Sequence, residues 1–258
     1  MRLGFIGTGA ITEAIVTGLL RTEAEVGEIL LSERNRTVSA RLEAASARVR
    51  VCADNQQIAE TSDLLFLAVR PQDAHAVLEP LRLREGQHVC SLIATIPSET
   101  LQGWFRTPVR IFRAIPLPAV AELRGVTALF PNDPVGEALF GPLGTVVAAR
   151  SLDEFDAYAT ASALMGTYFG ILETATDWMC ETGIERDTAQ AYLTPVFLGL
   201  ARTAAEAPER SFSTLRDEHS TPGGLNEQVF STFAANGGTE ALTKALNAAG
   251  ARVRNART

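Results

Sequence analysis

Two glycines near the start of the chain have the spacing of a phosphate-binding turn. Gly7 and Gly9 lie between a short apolar run and an amphipathic stretch. In such a turn the first glycine allows a tight bend, and the second lets backbone N–H groups approach a pyrophosphate at the positive end of the next helix. Thr12 stands where a third small residue is usual. The predicted dinucleotide contacts are Gly7, Thr8, Gly9, Ala10 and Ile11.

Residues of both charges follow the second apolar run, where the adenosine ribose of a dinucleotide would lie. A carboxylate at Glu33 accepts hydrogen bonds from both ribose hydroxyls and favours NAD. The hydroxyl of Ser32 and the guanidinium groups of Arg34 and Arg36 instead favour the 2′-phosphate of NADP. We expect NADP(H), with NAD(H) as the alternative. In a third interpretation the two arginines only begin a solvated helix face.

A second glycine-rich turn lies near the end of the chain. Thr221, Gly223 and Gly224 precede a helix that is predicted to begin at about Leu225. A Pro-Gly-Gly sequence at a helix start presents unpaired backbone N–H groups, and with a hydroxyl beside them such a turn suits a carboxylate. The alternative is an ordinary turn that caps the helix.

These turns need a framework, and the first 150 residues predict one. Short runs rich in β-forming residues alternate there with amphipathic stretches, as in successive βα units. The predicted strands are residues 3–6, 28–31, 49–51, 64–69, 89–93, 109–113 and 126–130. The predicted helices are residues 11–20, 36–45, 56–60, 72–81 and 98–103. Because crossovers between parallel strands are right-handed, we expect a doubly wound and largely parallel sheet.

The character of the sequence changes from about Leu152 onward. Alanine, leucine and threonine recur there at helical spacing, in residues 162–176, 186–206, 224–235 and 239–249. A helical bundle this apolar often supplies a dimer interface, although it can also pack only on itself. The predicted fold is therefore α/β, with an N-terminal Rossmann dinucleotide-binding domain in residues 1–150 and a C-terminal all-α dimerisation domain in residues 151–258.

The composition of the 258 residues argues against several classes of protein. A net charge of −7 disfavours nucleic-acid binding, and no apolar stretch has the length of a membrane span. Three histidines and three widely spaced cysteines give no metal-ligand pattern, and the cysteines fit a reducing compartment. We expect a cytoplasmic protein without a signal peptide, metal, nucleic acid or membrane partner. Its expected partners are a small molecule and a second copy of itself.

Four segments, in order, resemble the pyrroline-5-carboxylate reductase family over nearly the whole chain. They are GFIGTGAITEAI at residues 4–15, SDLLFLAVRPQD at 62–73, VRIFRAIPLP at 109–118 and LRDEHSTPGGLNEQVF at 215–230. The resemblance implies reduction of a cyclic imine by a nicotinamide cofactor, in a homodimer. It also implies a role in proline biosynthesis.

The resemblance assigns roles to particular residues. It places the strand-end turn Val69, Arg70, Pro71 and Gln72 against the cofactor. The carboxyl end of a central strand would put this turn and Ala68 there in any Rossmann sheet. It makes Thr221, Gly223 and Gly224 the clamp for the substrate carboxylate. The catalytic assignment is Thr221 and Asn226, either of which, or a water, would hydrogen-bond the imine nitrogen.

The chain departs from the family pattern at two positions near the expected substrate. Where the family resembles Met-Pro-Asn-Thr-Pro, residues 115–119 read Ile-Pro-Leu-Pro-Ala, so that Leu117 replaces the asparagine. Asn226 stands where the family has a threonine. These changes keep two alternatives open, namely an imine reductase for another substrate and a non-catalytic NADP(H) sensor. A β-hydroxyacid dehydrogenase is disfavoured, because Lys244 is the only lysine and lies far from the first long helix of the second domain.

Overall fold

A computed structural model describes residues 1–255 of the chain. Its first part is built on a single eight-stranded sheet. The strands are β1 Leu3–Ile6, β2 Ile29–Ser32, β3 Val49–Cys52, β4 Leu64–Leu67, β5 His88–Ser91, β6 Arg110–Pro116, β7 Gly125–Phe130 and β8 Gly144–Ala148. The order across the sheet is β3-β2-β1-β4-β5-β6-β7-β8.

All neighbouring strands pair in parallel except β6 and β7, which are antiparallel. The strand order reverses at β1, which lies between β2 and β4. In an open α/β sheet the crevice beyond the carboxyl ends of the strands at such a reversal is the usual place for a ligand. The glycine turn follows β1 and therefore lies at this point.

The helices of the first part cover both faces of the sheet. They are α1 Ala10–Leu20, α2 Arg36–Ala45, α3 Asn55–Thr61, α4 Pro71–Leu78, α5 Ser98–Trp104, α6 Pro134–Phe140 and α7 Leu152–Ser162. Strands β1, β2 and β4 are continuous apolar runs that are buried at every position, as expected for parallel strands covered on both faces. The rings of Phe5 and Phe66 stack 4.3 Å apart on these neighbouring strands.

The second part is helical. Its helices are α8 Leu164–Glu181, α9 Arg186–Glu206, α10 Phe212–Glu218, α11 Leu225–Ala235 and α12 Gly238–Asn255. Helices α8 and α9 pack together, with the rings of Tyr168 and Phe197 in edge contact. On α12, the exposed amine of Lys244 pairs with Glu240 at 2.7 Å.

Internal contacts divide the chain into two compact units. Unit 1 is Met1–Ser162 together with the described residues from Gly250 onward, and unit 2 is Ala163–Ala249. The predicted division at residue 150 remains a prediction. None of the helices in residues 1–255 has the length and apolar character needed to cross a membrane.

The predicted fold class is confirmed, and most strand positions agree to within one or two residues. Four strands and helices were not predicted, and the first of them is β8, the eighth strand of the sheet. Helix α6 lies inside a proline- and glycine-rich stretch that resembled a linker, because Pro134 occupies its first turn and Asp133 caps it. Helices α7 and α10 lie where the sequence only suggested helical character. Strand β6 also extends to Pro116, because β7 pairs with it as far as that residue.

Candidate functional site

Gly7 forms the tight bend at the end of β1. Its φ angle is +104°, and a Cβ atom there would lie 2.4 Å from the carbonyl oxygen of Ala68. Both the backbone conformation and the close approach to the end of β4 therefore require glycine. The bend brings the turn after β1 against the turn after β4, which joins two predicted groups of cofactor residues.

Ser32 supports this turn from the end of β2. Its Oγ accepts a hydrogen bond from the Gly7 N–H at 2.9 Å, and its carbonyl oxygen accepts one from Thr8 Oγ1 at 2.7 Å. Thr12 Oγ1 donates to the Gly7 carbonyl oxygen at 2.7 Å, and all three polar side chains are buried. Ser32 was predicted to contact the cofactor itself, but the hydroxyl is engaged in shaping the turn. The nucleotide contacts of these predicted residues remain predictions.

Gly9 faces open space and fits the expected pyrophosphate. A Cβ atom built there has no heavy atom within 4 Å, in contrast to Gly7. Gly9 is also the N-cap of α1 and provides no side-chain cap, so that the first-turn N–H groups keep their capacity for an anion. A dinucleotide phosphate is the ligand that this cradle suits.

Two adjacent cavities flank the turn within unit 1. One, of about 390 Å³, is lined by residues that suit an adenosine: Ile6, Gly7, Ser32, Glu33, Arg34, Arg36, Ala53, Asn55, Val69 and Val77. The other, of about 520 Å³, lies over the turn and is lined by Gly7, Thr8, Gly9, Arg34, Asn35, Arg36, Ala68, Val69 and Arg70. Since four residues line both, one extended ligand can run from one cavity to the other. The structure thus brings most predicted cofactor residues together.

The charged rim of these cavities includes a residue that the sequence did not indicate. Asp73 Oδ2 accepts hydrogen bonds from Arg34 Nη2 at 2.7 Å and from Arg70 Nε at 3.2 Å. The hydrogen bond from Arg34 lowers the pKa of Asp73 below its usual range. Glu33 pairs separately with Arg36 at 3.1 Å. Asp73 is the last residue of the segment 62–73 and lies three residues after Arg70, but neither position indicates its contact with Arg34.

The second predicted site lies in unit 2, at the start of α11. Gly223 has a φ angle of +71°, and the Gly224 N–H donates to the Thr221 carbonyl oxygen at 2.7 Å. Gly224 is the N-cap of α11 and offers no side-chain cap. The loop is therefore a tight turn with helix N–H groups directed outward, which is the geometry predicted for a carboxylate clamp.

Two side chains of α11 reach back into this turn. Glu227 Oε2 accepts a hydrogen bond from the Gly223 N–H at 2.5 Å, so the chain already holds one of its own carboxylates there. Asn226 Nδ2 donates to the His219 carbonyl oxygen at 2.7 Å, which leaves its second N–H and its Oδ1 for other partners. The sequence analysis did not identify Glu227, although a glutamate three residues after an N-cap is the usual spacing for a side chain that caps backward.

Leu117, which replaces the family asparagine, lines an apolar cavity of about 250 Å³ in unit 1. The other lining residues are Ile115, Val126, Ala128, Val147, Tyr158, Ala161 and Ser162. The lining of this cavity comes from the carboxyl-terminal end of β6 and the residue after it, from β7 and β8, and from α7. The leucine that replaces the polar family residue therefore lies among other apolar side chains.

Two family models match separate parts of the chain. Residues 2–95 match the family described as NADP oxidoreductase, coenzyme F420-dependent. Residues 153–256 match the family described as pyrroline-5-carboxylate reductase dimerisation. The matches lie in the nucleotide-binding and helical parts respectively.

Similar proteins extend this correspondence over the full length. The pyrroline-5-carboxylate reductase of Pseudomonas aeruginosa is 28% identical, over 97% of this chain and 95% of the relative. A solved pyrroline-5-carboxylate reductase from Coxiella burnetii has a TM-score of 0.84 at 27% identity and covers 99% of this chain and 98% of that chain. The Plasmodium falciparum pyrroline carboxylate reductase with NADP bound has a TM-score of 0.86, over 100% of this chain and 98% of that chain, but at 15% identity it shows the fold alone.

Proposed function

Because the chain belongs to the pyrroline-5-carboxylate reductase family, we propose that it reduces pyrroline-5-carboxylate to proline with NADPH or NADH. The observation that carries the proposal is the pair of anion-binding turns. One follows β1 and suits a dinucleotide pyrophosphate, and the other begins α11 and suits the substrate carboxylate. A reductase of this type needs both ligands.

The reaction adds a hydride to the imine carbon and a proton to the imine nitrogen. A reduced nicotinamide supplies the hydride, and the protein contributes mainly alignment and exclusion of water. Gly7, Gly9 and Arg70 are the proposed cofactor contacts from the turns after β1 and β4. Because the reaction needs no strong base, the chain needs few polar side chains at the reacting atoms.

The proposed substrate contacts come from unit 2. The N–H groups at the start of α11 would hold the carboxylate, together with the exposed hydroxyl of Thr221. Because a hydroxyl donates one hydrogen bond, Thr221 Oγ1 would either donate to the carboxylate and accept from the protonated imine nitrogen, or donate to the imine nitrogen or to a water beside it. Asn226 uses one Nδ2 proton within the turn, so its second N–H could donate to the imine nitrogen or its Oδ1 could accept from the protonated one.

We also propose that the active form is a cytoplasmic homodimer assembled through the helices of unit 2. Large apolar side chains on these helices are exposed in the single chain, among them Phe169, Trp178 and Tyr192. Exposed apolar surface of this extent usually marks an interface. The cytoplasmic location is supported by three free cysteines in the described residues.

A second candidate is reduction of a more apolar imine. It is supported by the apolar cavity beside Leu117, where the family has a polar side chain. The two candidates differ in whether the substrate needs a carboxylate.

One assay separates these functions. Oxidation of NADPH and NADH is followed with pyrroline-5-carboxylate and with five- and six-membered cyclic imines that have or lack a carboxylate. Fastest turnover of pyrroline-5-carboxylate supports the first proposal, and fastest turnover of an imine without a carboxylate supports the second. Tight cofactor binding without any turnover would indicate a sensor and contradict both.

A further inference from the structure

Asp73 joins the two sides of the proposed cofactor cleft. Arg34 follows β2, whereas Arg70 and Asp73 lie at the start of α4, which follows β4. Strand β1 and its glycine turn lie between β2 and β4. A single carboxylate oxygen of Asp73 accepts from both arginines, so the bridge spans the strand that carries the pyrophosphate turn.

Arg34 is the end of this bridge that lies on the β2 side. It lines both the adenosine-sized cavity and the cavity over the glycine turn. Its side chain remains about half exposed, while that of Asp73 is 30% exposed. A ligand that extends from one cavity to the other must therefore pass the Arg34 guanidinium, whose Nη2 is held by Asp73.

The charges on the rim nearly cancel before any ligand binds. Arg34 and Arg70 share the carboxylate of Asp73, and Arg36 pairs with Glu33. Three positive groups thus face two negative ones. A 2′-phosphate, with two further negative charges, gains from the arginines but is repelled by Asp73, whereas a ribose hydroxyl at the same place is affected little.

We propose that Asp73 is a specificity-determining residue that competes with the 2′-phosphate of NADP(H) for Arg34 and so keeps the enzyme open to NAD(H). The inference rests on the proposed function, because it assumes that the adenosine half of a nicotinamide dinucleotide lies in this cleft. Asp73 acts through Arg34 and does not need to contact the cofactor itself. Its carboxylate reduces the gain in affinity that the arginines would otherwise give to a cofactor with a 2′-phosphate.

The test compares two nucleotide fragments that differ only in the phosphate at issue. Adenosine 2′,5′-bisphosphate and adenosine 5′-monophosphate are titrated calorimetrically into the full-length chain and into Asp73→Asn. The substitution keeps the shape of the side chain and removes its charge. We expect the ratio of the two affinities to shift about fivefold toward the bisphosphate, the size expected for one partly screened charge, and to shift less at high salt.

Two controls restrict the interpretation to Asp73 and Arg34. Glu79→Gln changes the net charge equally at the exposed end of the same helix, about 9 Å further along, and should leave the ratio nearly unchanged. In an Arg34→Gln background, Asp73→Asn should lose most of its effect on the ratio. Thermal unfolding of each variant verifies that the fold is retained.

The possible failures are distinguishable. If Asp73→Asn leaves the ratio unchanged or shifts it toward the monophosphate, while both fragments bind the natural chain, the role of Asp73 is overturned and the cofactor site stands. An equal shift in the Arg34→Gln background overturns the action through Arg34. If neither fragment binds the natural chain, the cofactor assignment fails, and the inference about Asp73 fails with it.

Discussion

The two glycines of the first turn have different roles, and the structure separates them. Gly7 is required by the fold, because its backbone conformation and its contact with Ala68 both exclude a side chain. Gly9 borders open space, so the absence of a side chain there leaves room for a ligand to approach the backbone. The same residue type thus has a structural role at one position and a binding role two residues later.

Matched alanine substitutions test this distinction. Gly9→Ala should lower the free energy of unfolding only by the roughly 1 kcal/mol or less that alanine costs at an N-cap, and weaken NADPH binding about tenfold or more, equivalent to about 1.4 kcal/mol. Gly7→Ala should lower the free energy of unfolding by about 1 to 3 kcal/mol or more, because of the strained φ angle and the clash. Urea unfolding and fluorescence titration provide the measurements. Equal losses of stability in the two variants would contradict the assignment.

Glu227 provides a second prediction at the residue scale. Its carboxylate already bonds the Gly223 N–H, so a substrate carboxylate in this turn must bind near a negative charge. Glu227→Gln should therefore lower the KM for pyrroline-5-carboxylate about two- to fivefold while kcat changes less. Gln228→Glu, on the next residue of the helix, is the charge control. A raised KM in Glu227→Gln would instead indicate that the cap on Gly223 is needed to shape the clamp.

The sequence predicted the two turns because each depends on residues that are adjacent in the chain. It did not indicate Asp73 or the engagement of the Ser32 hydroxyl, because both depend on approaches between separate strands. Asp73 is 39 residues from Arg34, and Ser32 is 25 residues from Gly7. No local pattern specifies contacts of this kind, and their roles become visible only when β2 and β4 flank β1.

At the scale of elements, the first turn of α7 carries a carboxylate whose pKa is strongly lowered. Glu154 accepts hydrogen bonds from Tyr158 Oη at 2.6 Å and from the backbone and side chain of Arg150. The bond from Tyr158, followed by those from Arg150, lowers the pKa of Glu154 from 4.5 to about 2. The ionised carboxylate of Glu154 therefore stabilises the start of this helix.

The direction of the shift fixes the pH dependence. A lowered pKa means that Glu154 stabilises the fold at any pH above its unfolded value of 4.5, and that this contribution disappears as the pH falls toward 2. The difference in free energy of unfolding between the natural chain and Glu154→Gln should be constant above about pH 6 and should shrink below pH 4.5. Urea unfolding at several pH values measures it, with Glu99→Gln, in the first turn of α5, as the control. A difference that grows on acidification would contradict the role of Glu154.

Elements with a clear local pattern were predictable, and those that lie among proline and glycine or depend on a distant partner were not. The bounds of β1, α2 and α9 agree with the prediction residue for residue, because an apolar run or helical spacing marks each of them, and the Asn35 cap also marks the start of α2. Helix α6 was missed because proline and glycine lowered its apparent helical character, while the Asp133 cap that starts it has no periodic signal. The antiparallel pairing of β6 with β7 likewise depends on a partner and not on either strand alone.

At the scale of the whole molecule, the apolar exposure of unit 2 distinguishes the two parts. Unit 1 encloses buried clusters on both faces of its sheet, whereas the helices of unit 2 leave Phe169, Trp178 and Tyr192 mostly exposed. The apolar character and helical spacing of the sequence from about Leu152 onward predicted a dimerisation domain, and the family match in residues 153–256 agrees.

The homodimer can be tested with one charged substitution. Phe169→Glu places a carboxylate where the side chain is 66% exposed in the single chain, and burial of that charge in an interface would be unfavourable. The dimer dissociation constant should rise about tenfold or more in sedimentation equilibrium. Gln190→Glu adds the same charge at a polar exposed position of α9 and should change it little. A monomeric natural chain at micromolar concentration would contradict the dimer.

Lys244 is a natural position for site-specific labelling. It is the single lysine of the chain, and its side chain is 73% exposed on α12 beside Glu240. Once the exposed N-terminal amine of Met1 has been blocked selectively near neutral pH, amine-directed reagents should therefore attach a fluorophore, a spin label or a surface linker to one defined side chain without any prior mutagenesis. In a homodimer the two labels would be related by symmetry, so a single distance distribution between them would report subunit exchange and assembly in real time.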